Sequence, residues 1–87
     1  MKQIAEVDDQ VTVKSYCYNN KHGGTEIVEN ERVDCIITKG WEDYECGRRY
    51  HAVPIDPYLL SRKDAHTPGK EDIIYISEFD IVQIKEA

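Results

Sequence analysis

Apolar and polar residues alternate along most of the chain, which is the pattern of β-strands with one buried face. The alternation is clearest over residues 11–18. There Val11, Val13 and Cys17 fall on one face and are expected to pack into a core. The other face of this first predicted strand carries Thr12, Lys14, Tyr16 and Tyr18. The pattern thus predicts tyrosines on the outer side of the sheet.

A second strand is predicted over residues 25–39, with a polar interruption at 29–31 that indicates a bulge or a turn. Residues 39–43 follow as a predicted hairpin turn, because Gly40 permits backbone conformations that other residues avoid. Trp41 would then stand at the tip of this hairpin, where a role in the core is hard to assign. We therefore expect Trp41 to contact a partner.

A third strand is predicted over residues 44–55. Its alternation changes phase, which a bulge at Gly47 would explain, and Pro54 places its end at a sheet edge because proline has no amide hydrogen to donate. Near the end of the chain, two β-branched runs at 73–76 and 81–84 flank a polar corner. These runs predict a strand, a tight turn and a last short strand.

The connection over residues 56–70 is predicted to be an insertion in the same domain. It begins with a short helical or 3₁₀ turn within 56–63, because Asp56 is a good N-cap and the proline after it suits the first helical position. Leu59 and Leu60 are expected to anchor this turn to the sheet. The rest of the insertion is predicted to be a loop with a Pro-Gly turn.

Several of these segments resemble parts of Src-homology-3-like small barrels of the Tudor and KOW type. Residues 9–13, D-Q-V-T-V, resemble the opening G-D-x-V-x-V, with Asp8 where that pattern has glycine. Residues 33–37 and 50–53 resemble the central hairpin, and residues 75–84 resemble a closing strand, E-x-D turn and short strand. The resemblance implies an all-β fold, a small five-stranded barrel. It implies no functional residues, because such folds carry many functions.

Length and charge narrow the class of protein. The chain of 87 residues suffices for one domain, over 1–87. A net charge of −6, from 17 acidic and 11 basic residues, argues against nonspecific nucleic-acid binding, which needs a basic face. No apolar run approaches the roughly 20 residues of a membrane helix, and the first residues lack the apolar centre of a signal peptide. A cytoplasmic location without a membrane partner is therefore expected.

The cysteines give little sign of a metal site or of catalysis. Cys17, Cys35 and Cys46 are odd in number, widely spaced and without a C-x-x-C pair, which predicts small buried side chains on strands. A zinc site that combines the three cysteines with His22 or His51 is the alternative. The motifs G-x-S-x-G and H-E-x-x-H are absent from the sequence. We therefore expect a protein that is not an enzyme and has no cofactor or metal.

The expected function is protein binding. Exposed aromatic side chains on a small barrel can hold a peptide, a methylated cation or a base. Acidic residues cluster between positions 26 and 45, either to engage a basic surface or simply as a solvated strand face. The candidate partner-binding residues are Trp41, Glu42, Asp43, Tyr44, Tyr58 and Tyr16. These features predict an adaptor, or an inhibitor that occludes a larger, DNA-handling protein.

The alternative is a nucleic-acid-binding module of the KOW or Tudor type that uses a local basic patch. Its candidate contacts are Arg48, Arg49, Arg62 and Lys63, which would bind phosphates. The same side chains would otherwise neutralise the acidic hairpin through cross-strand pairs. An exposed edge strand would also allow two copies of the chain to pair into a dimer.

Overall fold

The computed structural model describes residues 4–44, 47–66 and 72–85, and over these ranges the chain is all-β, as predicted. Five strands form one antiparallel sheet. They are β1 (Gln10–Asn19), β2 (Thr25–Tyr44), β3 (Gly47–Pro54), β4 (Ile74–Ile76) and β5 (Ile81–Lys85). The first 3₁₀ turn is Leu60–Arg62 and the second is Glu78–Asp80. No helix within these ranges is long and apolar enough to cross a membrane.

The strands pair in the order β2-β3-β4-β1-β5, and β1 also pairs with β2. The register follows the alternation in the sequence, because apolar residues lie opposite one another. Val11 lies between Cys35 of β2 and Ile84 of β5. Ala52 of β3 lies opposite Ile74 of β4. The inner faces of the strands consequently meet in one core.

The core corrects the predicted faces of β1. Its buried members are Ala5, Val11, Val13, Tyr16, Tyr18, Val33, Cys35, Ile37, Tyr50, Ala52, Leu59, Leu60, Ile74 and Ile76. The prediction that Tyr16 and Tyr18 lie on the outer face is wrong, since both rings are buried. The pairing of β1 with β2 is interrupted between Val13 and Ser15, and beyond this point Tyr16, Cys17 and Tyr18 are buried in succession, so both faces of β1 are covered.

β2 is one continuous strand, so the predicted turn at residues 39–43 is wrong. Tyr44 of β2 instead lies opposite Gly47 of β3. The pairing of β2 with β3 shifts on both sides of Lys39, and bulges at these places accommodate the additional residues of β2. Gly40 lies in one of them, because glycine suits a bulge as well as a turn. Trp41 consequently lies within the strand and not at a hairpin tip.

Of the two bulges predicted elsewhere, the one in the polar interruption of β2 is present and the one at Gly47 is not. The polar interruption of β2 is a bulge, as predicted: Asn30 has a φ of 61°, and the pairing with β1 shifts at this place. In β3, by contrast, Tyr50, Ala52 and Pro54 are buried in regular alternation. No bulge at Gly47 changes the phase of β3. Gly47, the first residue of β3, has a φ of +102°, a conformation that glycine adopts without strain.

The insertion is tied to the sheet over the part that the structure describes. Its first 3₁₀ turn confirms the short turn predicted within 56–63, and Leu59 and Leu60 are buried in the core, as predicted. Beyond the turn, the carbonyl of Asp64 accepts the amide hydrogen of Lys21 at 2.8 Å. The segment therefore packs against the loop that follows β1. The last part of the predicted insertion lies outside the described residues.

The closing segment has the predicted form of strand, tight turn and last strand. Ser77 caps the second 3₁₀ turn, because its hydroxyl accepts the amide hydrogen of Phe79 at 3.2 Å. The carbonyl of Ser77 also accepts the amide hydrogen of Asp80 at 3.0 Å. The turn is thus fixed by local hydrogen bonds, and β5 continues from it to pair with β1.

Candidate functional site

β2, the start of β3 and the second 3₁₀ turn together form a surface cleft of about 290 Å³. Its lining residues are Trp41, Asp43, Arg48, Ser77, Glu78 and Phe79. Two aromatic rings therefore share one open site with two carboxylates and one guanidinium. We call this site the Trp41–Phe79 cleft.

The core positions Trp41 in the cleft. Its ring packs on the buried ring of Tyr50, with centroids 6.0 Å apart and planes inclined at 59°. The register shift between Lys39 and Glu42 accounts for this placement, since a bulge re-aims the side chains of a strand. Trp41 is half-buried as a result. Its orientation is therefore held by a core residue while part of the indole stays at the surface.

The second 3₁₀ turn presents Phe79 to solvent. Phe79 is 81% exposed, the largest exposed fraction among the large apolar side chains that the structure describes. The turn is held against β3 by an ion pair between Arg49 and Asp80 at 3.7 Å, whose side chains are only 14% and 23% exposed. Exposing a phenylalanine ring to water is unfavourable, and a ligand that covers it gains the corresponding free energy.

Arg48 covers part of Trp41. Its guanidinium carbon lies 4.9 Å from the centroid of the Trp41 ring, within the range of a cation–π contact. The Arg48 Nε also lies 3.2 Å from Asp43 Oδ1. Arg48 is therefore held over the ring by one aromatic and one carboxylate contact, both from β2.

Two predicted partner-binding residues, Glu42 and Tyr44, belong to a different cluster, because successive residues of a strand face opposite sides. The Tyr44 ring packs against His51 and Tyr75, at centroid distances of 5.4 and 5.1 Å. The Tyr44 hydroxyl donates to Glu42 at 2.9 Å and is also hydrogen-bonded to His51 Nε2. Burial in this cluster lowers the pKa of His51. Glu42 and Tyr44 do not line the Trp41–Phe79 cleft.

The remaining two predicted partner-binding residues also lie away from the cleft. Tyr58 is 67% exposed in the turn before the first 3₁₀ turn, where its amide hydrogen is donated to Asp56 Oδ1 at 2.9 Å. Tyr16 is inside the core, and its hydroxyl donates to Glu31 Oε2 at 2.5 Å. The buried ring of Tyr16 offers no surface to a partner, which corrects its predicted position. Of the six candidates, the cleft therefore brings together Trp41 and Asp43.

A second cleft, of about 460 Å³, lies beside the first 3₁₀ turn. Its lining residues are Glu31, Arg32, Val33, Asp34, Ile55, Asp56, Leu59 and Arg62. Arg62 pairs with Asp56 at 2.6 Å, and this contact lowers the pKa of the Asp56 carboxyl. Lys63 pairs with Glu31 at 3.3 Å. Acidic and basic side chains therefore largely compensate each other here.

The four basic candidates do not form one free patch. These residues are Arg48, Arg49, Arg62 and Lys63, and each has a carboxylate partner. Arg48 lines the Trp41–Phe79 cleft, whereas Arg62 lines the second cleft. Of the four, Arg48 makes the predicted cross-strand pair with the acidic hairpin, through Asp43.

Sequence reasoning did not single out the residues of the second 3₁₀ turn that line the cleft, Ser77, Glu78 and Phe79. The turn was predicted, but only as an element of the fold. A signal for function was present, since Phe79 is the only phenylalanine of the chain and lies in a polar corner with no apolar neighbour. An aromatic residue with only polar neighbours is less readily explained by packing into the core, so it is a candidate for contact with a ligand.

The cysteines show no sign of metal binding where the structure describes them. Within those residues, no group of three or more His, Cys, Asp or Glu side chains is arranged to hold a metal ion. Cys17 and Cys35 are buried on strands, as predicted, and burial raises the pKa of the Cys35 thiol to about 12. A thiol with so high a pKa is a poor nucleophile. Cys46 lies outside the described residues.

Comparison with known proteins assigns no family to the chain. No protein-family model matches it, and no curated protein and no solved structure matches it either. The function is therefore inferred from the geometry of the Trp41–Phe79 cleft.

Proposed function

We propose that this chain is a protein-binding module and that the Trp41–Phe79 cleft binds a segment of a partner protein. The module acts as an adaptor, or as an inhibitor that occludes a larger, DNA-handling protein. We further propose that the fold is a Src-homology-3-like barrel. The strand pairings support this, because β1 pairs with β2, β2 with β3, β3 with β4, and β4 with β1 again.

The observation that carries the proposal is the exposure of Phe79 beside Trp41. A phenylalanine that is 81% exposed stands on a turn fixed by Ser77 and by an ion pair of low exposure. Rigid aromatic side chains of this kind dominate the affinity of protein interfaces, because they bury much apolar area and lose little conformational entropy. Because the exposed ring of Phe79 lines the cleft, a segment of chain can reach the ring from solvent.

The charge of the molecule indicates the kind of partner. The net charge is −6, and the cleft is lined by Asp43 and Glu78 against a single cation, Arg48. A basic partner is therefore attracted and an acidic one repelled. This supports a partner with a basic surface, such as a protein that itself handles DNA.

Peptide selection tests the proposal. Random peptides are selected on the wild-type protein, and their affinities are then measured for Phe79→Ala, Trp41→Ala and Ile27→Ala. Because interface aromatics contribute about 2 kcal/mol or more, Phe79→Ala is expected to weaken binding by about 30-fold. Phe79 is 81% exposed, so its removal leaves the core intact, which circular dichroism checks.

Ile27→Ala is the matched control, because Ile27 is 60% exposed on β2 and does not line the cleft. Its affinity for the selected peptides should equal that of the wild type. If every selected peptide binds Phe79→Ala as tightly as the wild type, whatever its affinity for Trp41→Ala, the proposal fails.

A further inference from the structure

We propose that Arg48 occupies the position of a partner's arginine, and that the Trp41–Phe79 cleft binds an arginine-containing segment whose guanidinium replaces Arg48 on Trp41. This inference rests on the proposed function and names the chemistry of the ligand. Arg48 is then an internal competitor that has to leave the indole before the partner can bind.

The contacts of Arg48 show which chemistry the cleft recognises. The guanidinium carbon lies 4.9 Å from the Trp41 centroid, while Arg48 Nε lies 3.2 Å from a carboxylate oxygen of Asp43. An aromatic face with a carboxylate at its edge suits a planar cation, which can stack on the ring and donate hydrogen bonds sideways at the same time. An ammonium group has no planar face to stack. Arginine is therefore the preferred occupant.

The contacts that hold Arg48 are weak enough to be exchanged. The side chains of Arg48 and Asp43 are 51% and 80% exposed. Ion pairs as exposed as this contribute little, because water competes for both charges. A guanidinium supplied by a partner would make the same two contacts and would bring the rest of its segment onto Phe79.

The charges of the cleft favour the same occupant. Glu78 also lines the cleft, so two carboxylates face one cation. If the guanidinium of a partner enters while Arg48 moves into solvent, one positive charge still lies beside the two carboxylates. An acidic segment would instead add charge of the sign already in excess.

Tryptophan fluorescence offers a direct test, because Trp41 is the only tryptophan of the chain and reports on this cleft alone. Peptides are selected on the wild-type protein, and those that fail to bind Phe79→Ala are kept as cleft ligands. Each is then synthesised with arginine and with citrulline, which has the same shape without the charge. Both forms are titrated into the wild type, Arg48→Ala and Arg32→Ala.

Citrulline is expected to weaken binding to the wild type by about tenfold or more, since it lacks the cation. Arg48→Ala is expected to bind the arginine form about three- to tenfold more tightly than the wild type, because the competing contact is gone. Arg32→Ala removes an equal charge beside the second cleft and should bind no more tightly than the wild type.

The outcomes separate the two proposals. Cleft ligands that bind equally well as arginine and citrulline forms, or more weakly to Arg48→Ala, overturn the inference and leave the protein-binding function standing. Such ligands would stack an aromatic or proline ring on Trp41 instead. If selection yields no peptide that depends on Phe79, the proposed function itself fails, and the inference fails with it.

Discussion

Two tyrosines of β1 each have a buried ring and a hydroxyl that donates a hydrogen bond to a carboxylate. Tyr16 donates to Glu31 at 2.5 Å and Tyr18 donates to Asp64 at 2.6 Å. A buried hydroxyl without a partner is costly, and a carboxylate at the rim of the core satisfies it with a charge-assisted hydrogen bond. These bonds connect β1 to the bulge of β2 and to the segment after the first 3₁₀ turn.

The hydrogen bond of Tyr18 links stability to pH. Burial, together with the hydrogen bond to Asp64, raises the pKa of Tyr18 from 10.0 to about 12. The folded state therefore favours the neutral phenol more strongly than the unfolded state does. This contribution is fully present below pH 10 and is lost as the pH rises towards 12.

Replacing Tyr18 with phenylalanine tests this linkage. Tyr18→Phe should lower the free energy of unfolding by about 1 kcal/mol at neutral pH, because one hydrogen bond is lost. The difference from the wild type should then shrink between pH 10 and pH 12, as the tyrosine of the wild type ionises. Urea unfolding across this range measures it, and Tyr58→Phe, which removes a surface hydroxyl, is the matched control. A difference that stays constant up to pH 12 would contradict the assignment.

At the scale of the element, the second 3₁₀ turn connects the fold to the proposed function. Ser77 caps it, and the pair of Arg49 with Asp80 fastens it to β3. The turn keeps Phe79 at the cleft and also sets the direction in which β5 begins. A substitution that removes the Ser77 cap should therefore lower both the stability of the fold and the affinity for a partner.

Ser77→Ala removes the hydroxyl that accepts the Phe79 amide hydrogen. We expect the free energy of unfolding to fall by about 1 kcal/mol, the usual effect of a lost cap, and cleft peptides to bind more weakly because Phe79 is less well positioned. Urea unfolding and peptide titration measure the two effects. Ser61→Ala removes the hydroxyl that donates to the Tyr58 carbonyl in the first 3₁₀ turn, away from the cleft, and should lose stability only.

Elements whose signals are local could be predicted from the sequence. The closing segment was correct, because β-branched runs and a capped polar corner determine their own conformation. The turn at Gly40 was wrong, since glycine serves a bulge as well as a turn and only the pairing with β3 decides between them. The faces of Tyr16 and Tyr18 were wrong for a similar reason, because the shift after Val13 is a property of two strands.

The candidate site could be predicted only in part. Trp41 was singled out because a hairpin tip was expected there, and this premise is wrong, since Trp41 lies within β2. Asp43 was chosen because it belongs to the acidic stretch. Phe79 was missed, since its proximity to Trp41 comes from the packing of two distant segments. Glu42 and Tyr44 were predicted to belong to the same site. Because successive side chains of a strand face opposite sides, both lie on the other face of β2.

At the scale of the whole molecule, acidic charge is in excess, and five of the nine Lys and Arg side chains that the structure describes are ion-paired. The net charge is −6. Ion pairs join Lys39, Arg48, Arg49, Arg62 and Lys63 to carboxylates. β5 stands at the end of the strand order, so pairing of two copies through this strand stays a prediction.

The same charge distribution leads to a prediction about nucleic acids. Binding of a polyanion requires cations that release its counterions, and here a phosphate that approached Arg62 and Lys63 would also meet the carboxylates of Asp56 and Glu31. We expect no binding of labelled single-stranded DNA or RNA at low salt by fluorescence anisotropy, with the wild type or with Arg62→Ala. Binding that weakens steeply with salt, and that Arg62→Ala reduces, would instead assign the basic residues a role in phosphate contact. Asp56→Asn sharpens the comparison, since it frees Arg62 and should increase any such binding.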